Sequence, residues 1–172
     1  MKSKTTFLIL GILCMIVLVP VSMSGKIKHL KGQDLNKNLD FIIVIDDRIV
    51  IESPYLLHIK SVLGASEKSY DVGYYPGYLS MKISDYDKLM ADDVKAIFLI
   101  FEYYDPSEKE GVKRSYEIEL KKSWLQDYFN ILRIYNLDKK KYGKVFFSPK
   151  SNRKYVYELD SPSNTFHLIR KK

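Results

Sequence analysis

The chain has 172 residues, 46% of them hydrophobic, with 28 Lys and Arg against 21 Asp and Glu and a formal charge of +7. This length suits one domain, and the apolar fraction excludes a wholly disordered chain. A lone cysteine, Cys14, excludes an intramolecular disulfide framework and any cysteine-based zinc cluster.

Residues 1–24 read as a signal peptide. Lys2 and Lys4 give a positive start, Phe7 to Val19 is an apolar run with one glycine, and Pro20 breaks it. Ser22 and Ser24 are small residues placed for a cut before Gly25. The alternative is an uncleaved membrane anchor over residues 7–23, whose 17 residues are near the lower limit for a spanning helix. Either way the rest of the chain is expected to be exported, periplasmic or extracellular. Cys14 reads as a small hydrophobe within this segment.

Residues 25–40 form a polar lead-in, and residues 41–172 a single β-rich domain with a basic C-terminal end. Phe41 to Ile45 and Arg48 to Glu52 are β-branched runs around Asp46-Asp47, a hairpin pattern. Leu56 to Leu63 fits a strand or a helical turn. In Tyr78 to Ile83, Leu79, Met81 and Ile83 alternate with Tyr78, Ser80 and Lys82, which predicts a half-buried strand. A short helix is expected over Ser84 to Ala91, with Ser84 and Asp87 at capping-box spacing.

Lys95 to Tyr104 is apolar on both faces and predicts a central strand buried on both sides. Arg114 to Leu120 places Tyr116, Ile118 and Leu120 inward. Ser123 and Gln126 have a second capping-box spacing before a helix over 123–129, with a strand after it. Further strands are expected at Lys144 to Phe147, Lys154 to Leu159 and Thr165 to Ile169. The sum is a mainly β fold: an antiparallel β-sandwich, or partly open barrel, of about seven to nine short strands with one or two short helical insertions.

Catalytic motifs are absent: there is no Gly-x-Ser-x-Gly, no His-Glu-x-x-His and no phosphate-cradling Gly loop. His29, His58 and His167 have no partner at metal-ligand spacing. The acidic group Asp85, Asp87, Asp92 and Asp93 does not fit an EF-hand loop. No metal and no cofactor are therefore expected.

Two features point to binding. Tyr70, Tyr74, Tyr75 and Tyr78 crowd into SYDVGYYPGY, read as a loop, and tyrosine offers stiff contact area with a polar tip. The second is charge. Residues 25–138 carry 16 basic and 19 acidic groups, whereas residues 139–172 carry ten basic and two acidic. The ten are Lys139, Lys140, Lys141, Lys144, Lys150, Arg153, Lys154, Arg170, Lys171 and Lys172.

Such a basic end suits an acidic protein, a surface glycan or an anionic membrane surface. Nucleic acid is disfavoured, because the chain has 23 Lys but only five Arg and is expected outside the cytoplasm. The expected function is an exported, non-catalytic β-domain of the cell envelope that binds a protein or glycan partner. The alternatives are a membrane-anchored accessory subunit of an envelope assembly and a small hydrolase using Asp46, Asp47, Asp85 and Asp87.

Overall fold

A computed structural model describes residues 35–106, 111–149 and 153–171. The expected signal segment and His29 lie outside the described residues. Among those described are ten strands and three short helices. In order they are β1 (Asn36–Ile45), β2 (Arg48–Ile49), β3 (Tyr55–Leu63), β4 (Ser66–Asp71), β5 (Gly73–Tyr75), β6 (Gly77–Lys82), α1 (Ile83–Met90), β7 (Ala96–Asp105), β8 (Val112–Leu120), α2 (Lys122–Gln126), β9 (Asn130–Asn136), α3 (Lys140–Val145) and β10 (Tyr155–Asp160).

Two sheets result, one ordered β10-β9-β1-β6-β5 with β2 paired to the end of β1, the other β4-β3-β7-β8. This is the mainly β, sandwich-like arrangement expected from the alternation. One pairing is parallel: β1 runs beside β9 with Phe41 opposite Asn130 and Ile45 opposite Ile134. All other pairings are antiparallel.

The core is made by alternate side chains of both sheets. Phe41, Ile43, Leu79, Leu132, Ile134 and Leu159 of the first sheet share one cluster with Ile59, Ile97, Leu99, Phe101, Tyr116 and Ile118 of the second. Helices carry the chain between sheets at one end of the sandwich. There α1 leads from β6 to β7 and buries Leu89, and α2 leads from β8 to β9 and buries Trp124 and Leu125. The Tyr86 hydroxyl donates to the Leu125 carbonyl at 3.3 Å and ties the two helices together.

The β1–β2 hairpin forms around Asp46 and Asp47, which take φ of 50° and 65°. Positive φ at both turn positions matches the strand twist, and Asp tolerates it.

Several local expectations are corrected. The strand β1 begins at Asn36, inside the polar lead-in, because Asn36 to Asp40 pair with β6 and Leu39 enters the core. β7 is central in its sheet but buried on one face only: Ile97, Leu99 and Phe101 point into the core, while Phe98 and Ile100 stay half-buried outside. A two-layer sandwich has nothing to place over that outer face.

Ile83 belongs to α1, not to the preceding strand, and is 38% exposed. Neither capping box forms. The N-caps are Lys82 and Lys121 with no side-chain bond, so Ser84 and Ser123 fall inside the first turn. Lys144 to Phe147 is not a strand, since residues 140–145 are helical and the Phe146 N–H closes the turn on the Tyr142 carbonyl at 2.9 Å. Thr165 to Ile169 passes along β10 with a single bridge from Phe166 to Leu159, and Ile169 is 82% exposed. Its alternation has no second surface to cover. No helix among the described residues is long and apolar enough to cross a membrane.

Candidate functional site

The tyrosine-rich segment is mostly strand rather than loop. Tyr70 on β4 and Tyr74 on β5 are core residues, and the Tyr74 hydroxyl donates to the Val50 carbonyl at 2.7 Å. Burial pushes the Tyr74 hydroxyl above the ordinary tyrosine range. Tyr75 is half-exposed and stacks on Tyr78, with ring centroids 4.9 Å apart. The four rings therefore do not share one contact surface. Alternation along β4 and β5 sends Tyr70 and Tyr74 inward.

The basic end is also divided. Lys139 reaches Asp46 at 2.9 Å and Asp105 at 2.6 Å, and Lys141 pairs with Asp47. The Lys141 ammonium and the Tyr142 hydroxyl hold the Asp47 carboxyl below its usual range, against a smaller opposing effect of burial. Arg170 pairs with the buried Glu158 and lies over the Phe146 ring. Lys171 donates to the Gly143 carbonyl at 2.7 Å. Lys140 and Lys144 are exposed on α3. Lys150 and Lys172 lie outside the described residues. Lys139 and Lys141 are thus paired with carboxylates of the acidic body, and Arg170 with Glu158 of the basic end itself.

The aspartates weighed for hydrolysis are not brought together. Asp46 and Asp47 cap the far end of β1, while Asp85 sits on α1 beside the near end, where it pairs with Lys88 at 2.7 Å. Ten strand residues separate the two ends by about 30 Å. Among the described residues no three His, Cys, Asp or Glu side chains converge as a metal would require. His58 bonds the Leu56 carbonyl through Nδ1 at 2.8 Å, and His167 lies 3.4 Å from Asp160.

What the fold does assemble is a cleft at the end opposite α1 and α2, between the outer strands of the two sheets. The inner face of β8 reads Leu120, Ile118, Tyr116, Arg114: its apolar row turns polar where the sandwich opens. Farther along, β10 is stitched to the free edge of β8. The Tyr155 hydroxyl accepts from the Glu117 N–H at 2.7 Å and donates to the Glu117 carbonyl at 2.9 Å. The Tyr157 hydroxyl also lies against the Glu119 backbone. Beyond Glu117 the strands part and leave a cleft of about 440 Å³. Lys113, Arg114, Ser115, Arg153, Lys154 and Tyr155 line its walls.

The floor is a buried polar network. Asn136 donates from its backbone N–H and its Nδ2 to the two Asp46 oxygens, each at 2.8 Å. The same Nδ2 meets the Tyr116 hydroxyl at 3.0 Å, and that hydroxyl donates to Asn136 Oδ1 at 3.2 Å. Burial drives the Tyr116 hydroxyl far above the ordinary tyrosine range, so it stays protonated and donates. Lys139 bridges Asp46 and Asp105 behind this floor, and Arg114 pairs with Asp138 at 2.9 Å. Lys113, in turn, pairs with Glu102 at 2.7 Å on the outer face, and Arg153 and Lys154 lie side by side on the cleft wall.

Comparison with protein-family models, curated proteins and solved structures finds no match for this chain.

The site was partly legible. Arg153 and Lys154 belong to the basic end recognised from composition. Arg114, Asn136 and Asp105 were missed. One signal existed for Arg114: a charge at an inward position of an alternating strand marks either a buried ion pair or the open end of a core. Asn136 and Asp105 carried no local signal, because their partners lie 90 and 34 residues away in sequence.

Proposed function

We propose that the protein is an exported, non-catalytic β-domain that binds an acidic protein or glycan of the cell envelope in the cleft between β8 and β10. The carrying observation is the composition of that cleft: four basic side chains and one acidic one line it, and although Arg114 pairs with Asp138 and Lys113 with Glu102, Arg153 and Lys154 lie side by side on its wall. The Tyr155 ring adds stiff contact area beside them. Export is supported by the signal-peptide pattern of residues 1–24. A lipid-contacting basic end finds less support, since Lys139, Lys141 and Arg170 are already paired within the fold.

The test uses the full chain with polyglutamate, alginate and neutral dextran as probes, followed by isothermal calorimetry at low and high salt. A carboxylated probe binds, dextran does not, and the affinity falls with salt as charge pairing requires. The double reversal Arg153→Glu, Lys154→Glu weakens binding by at least tenfold. Equal binding of the reversed variant, or no binding of either anionic polymer, overturns the proposal.

A further inference from the structure

We infer that the cleft takes an extended acidic polypeptide as an added strand on the free edge of β8, paired at Lys113 and Ser115. This rests on the reading of the cleft as an acidic-partner site and specifies the partner as protein.

The backbone geometry leads to it. In the β7–β8 ladder Glu117 lies opposite Ile100, yet its N–H and carbonyl turn away from β7 to the Tyr155 hydroxyl. By strand alternation the main-chain groups of Lys113, Ser115 and Glu119 point the same way. Tyr157 covers Glu119. Among the described residues no group bonds the backbone of Lys113 or Ser115 on that side. Two residues of free edge therefore face the cleft, offering two N–H donors and two carbonyl acceptors in strand geometry. An added strand satisfies all four, as in other edge-strand recognition.

The remaining sheet edges are less suited. β5 has only three residues, and β4 carries Glu67, Lys68 and Asp71, the charged pattern that protects an edge. β10 is flanked by the C-terminal segment through the Leu159–Phe166 bridge.

Charge sets the occupant. One face of the added strand looks across the cleft toward Arg153 and Lys154, beside the Arg114–Asp138 pair, so alternate residues there are acidic. The other face continues the outer surface of Lys113 and Ser115. The chain's own lead-in, with Lys26, Lys28 and Lys31, has the wrong sign to fill this place.

The test uses the full chain and a blocked eight-residue peptide of alternating Thr and Glu. Two further versions are N-methylated, one at the Thr amides and one at the Glu amides. Only one alternate set of amides faces β8 in an added strand. One methylated peptide therefore binds at least tenfold more weakly than the parent, and the other changes by less than about twofold. The variant Ser115→Pro removes an N–H that β7 does not use, which an edge strand tolerates. It weakens the parent peptide by at least fivefold with an unchanged unfolding midpoint. Should that variant unfold, the methylated pair decides alone.

Equal affinity of both methylated peptides, or wild-type affinity of a folded Ser115→Pro variant, overturns strand addition while the cleft remains an anion site. Binding of alginate with no binding of any peptide overturns it too. Failure of all anionic probes removes the underlying reading instead.

Discussion

Leu56 shows how much a single backbone angle carries. It holds φ of 47° in a residue 70% exposed, at the irregularity where β3 slips its register between Tyr55 and His58. A branched side chain in the left-handed region costs roughly 1–2 kcal/mol, and little burial offsets it here. Leu56→Gly is therefore expected to stabilise the fold by about 1 kcal/mol, read as a higher urea midpoint. A lower midpoint would show that the leucine packs usefully. Glu158 carries a pH effect. Burial alone would raise its carboxyl, but the Arg170 guanidinium, the Leu168 N–H and the Tyr135 hydroxyl outweigh that and hold it below its ordinary 4.5. A lowered folded value means that stability from this group is complete above pH 4.5 and fades as the pH falls below it. Glu158→Gln is expected to be less stable than wild type at pH 7, with the gap narrowing at pH 3. Denaturant midpoints at the two values check this.

Among the elements, α3 shows why a composition-rich segment misled. Lys139 to Phe147 reads as a basic stretch running into a strand, yet it coils so that Tyr142 and Phe146 both pack on Tyr135. Rings four residues apart reach one neighbour on a helix, whereas on a strand they also share a face, so local spacing did not choose. Gly143 decides it. A Cβ there would sit 2.7 Å from the Leu137 backbone oxygen. Gly143→Ala is expected to cost about 1–3 kcal/mol, because a backbone carbonyl must move. Thermal unfolding checks this, and an unchanged midpoint would show that the turn before α3 yields freely. By contrast, β8 was legible residue by residue, because one face is core and the other solvent: Tyr116, Ile118 and Leu120 are buried between exposed Ser115, Glu117 and Glu119.

Over the whole molecule, tyrosine acts as a structural seam more than as a binding surface. Burial raises the hydroxyls of Tyr74, Tyr86, Tyr103, Tyr116, Tyr135, Tyr142, Tyr155 and Tyr157 above the ordinary 10.0. A raised folded value means stability that is complete below pH 10 and lost as the pH climbs beyond it. Tyrosinate absorbance is expected to rise in a late step that coincides with loss of the near-ultraviolet circular dichroism signal. An early rise with folding intact would contradict the burial. The sequence by itself determined the β-rich class, the two-residue hairpin turn at Asp46-Asp47 and the inward rows of the strands. Each follows from neighbours within a few residues, whose alternation or turn chemistry is local. Only the tertiary structure decided the strand order, the parallel β1–β9 pair, the ion pairs of Lys139, Lys141 and Arg170, and the cleft. These depend on partners as distant as Asp46 and Asn136, 90 residues apart, which meet only once both sheets have formed.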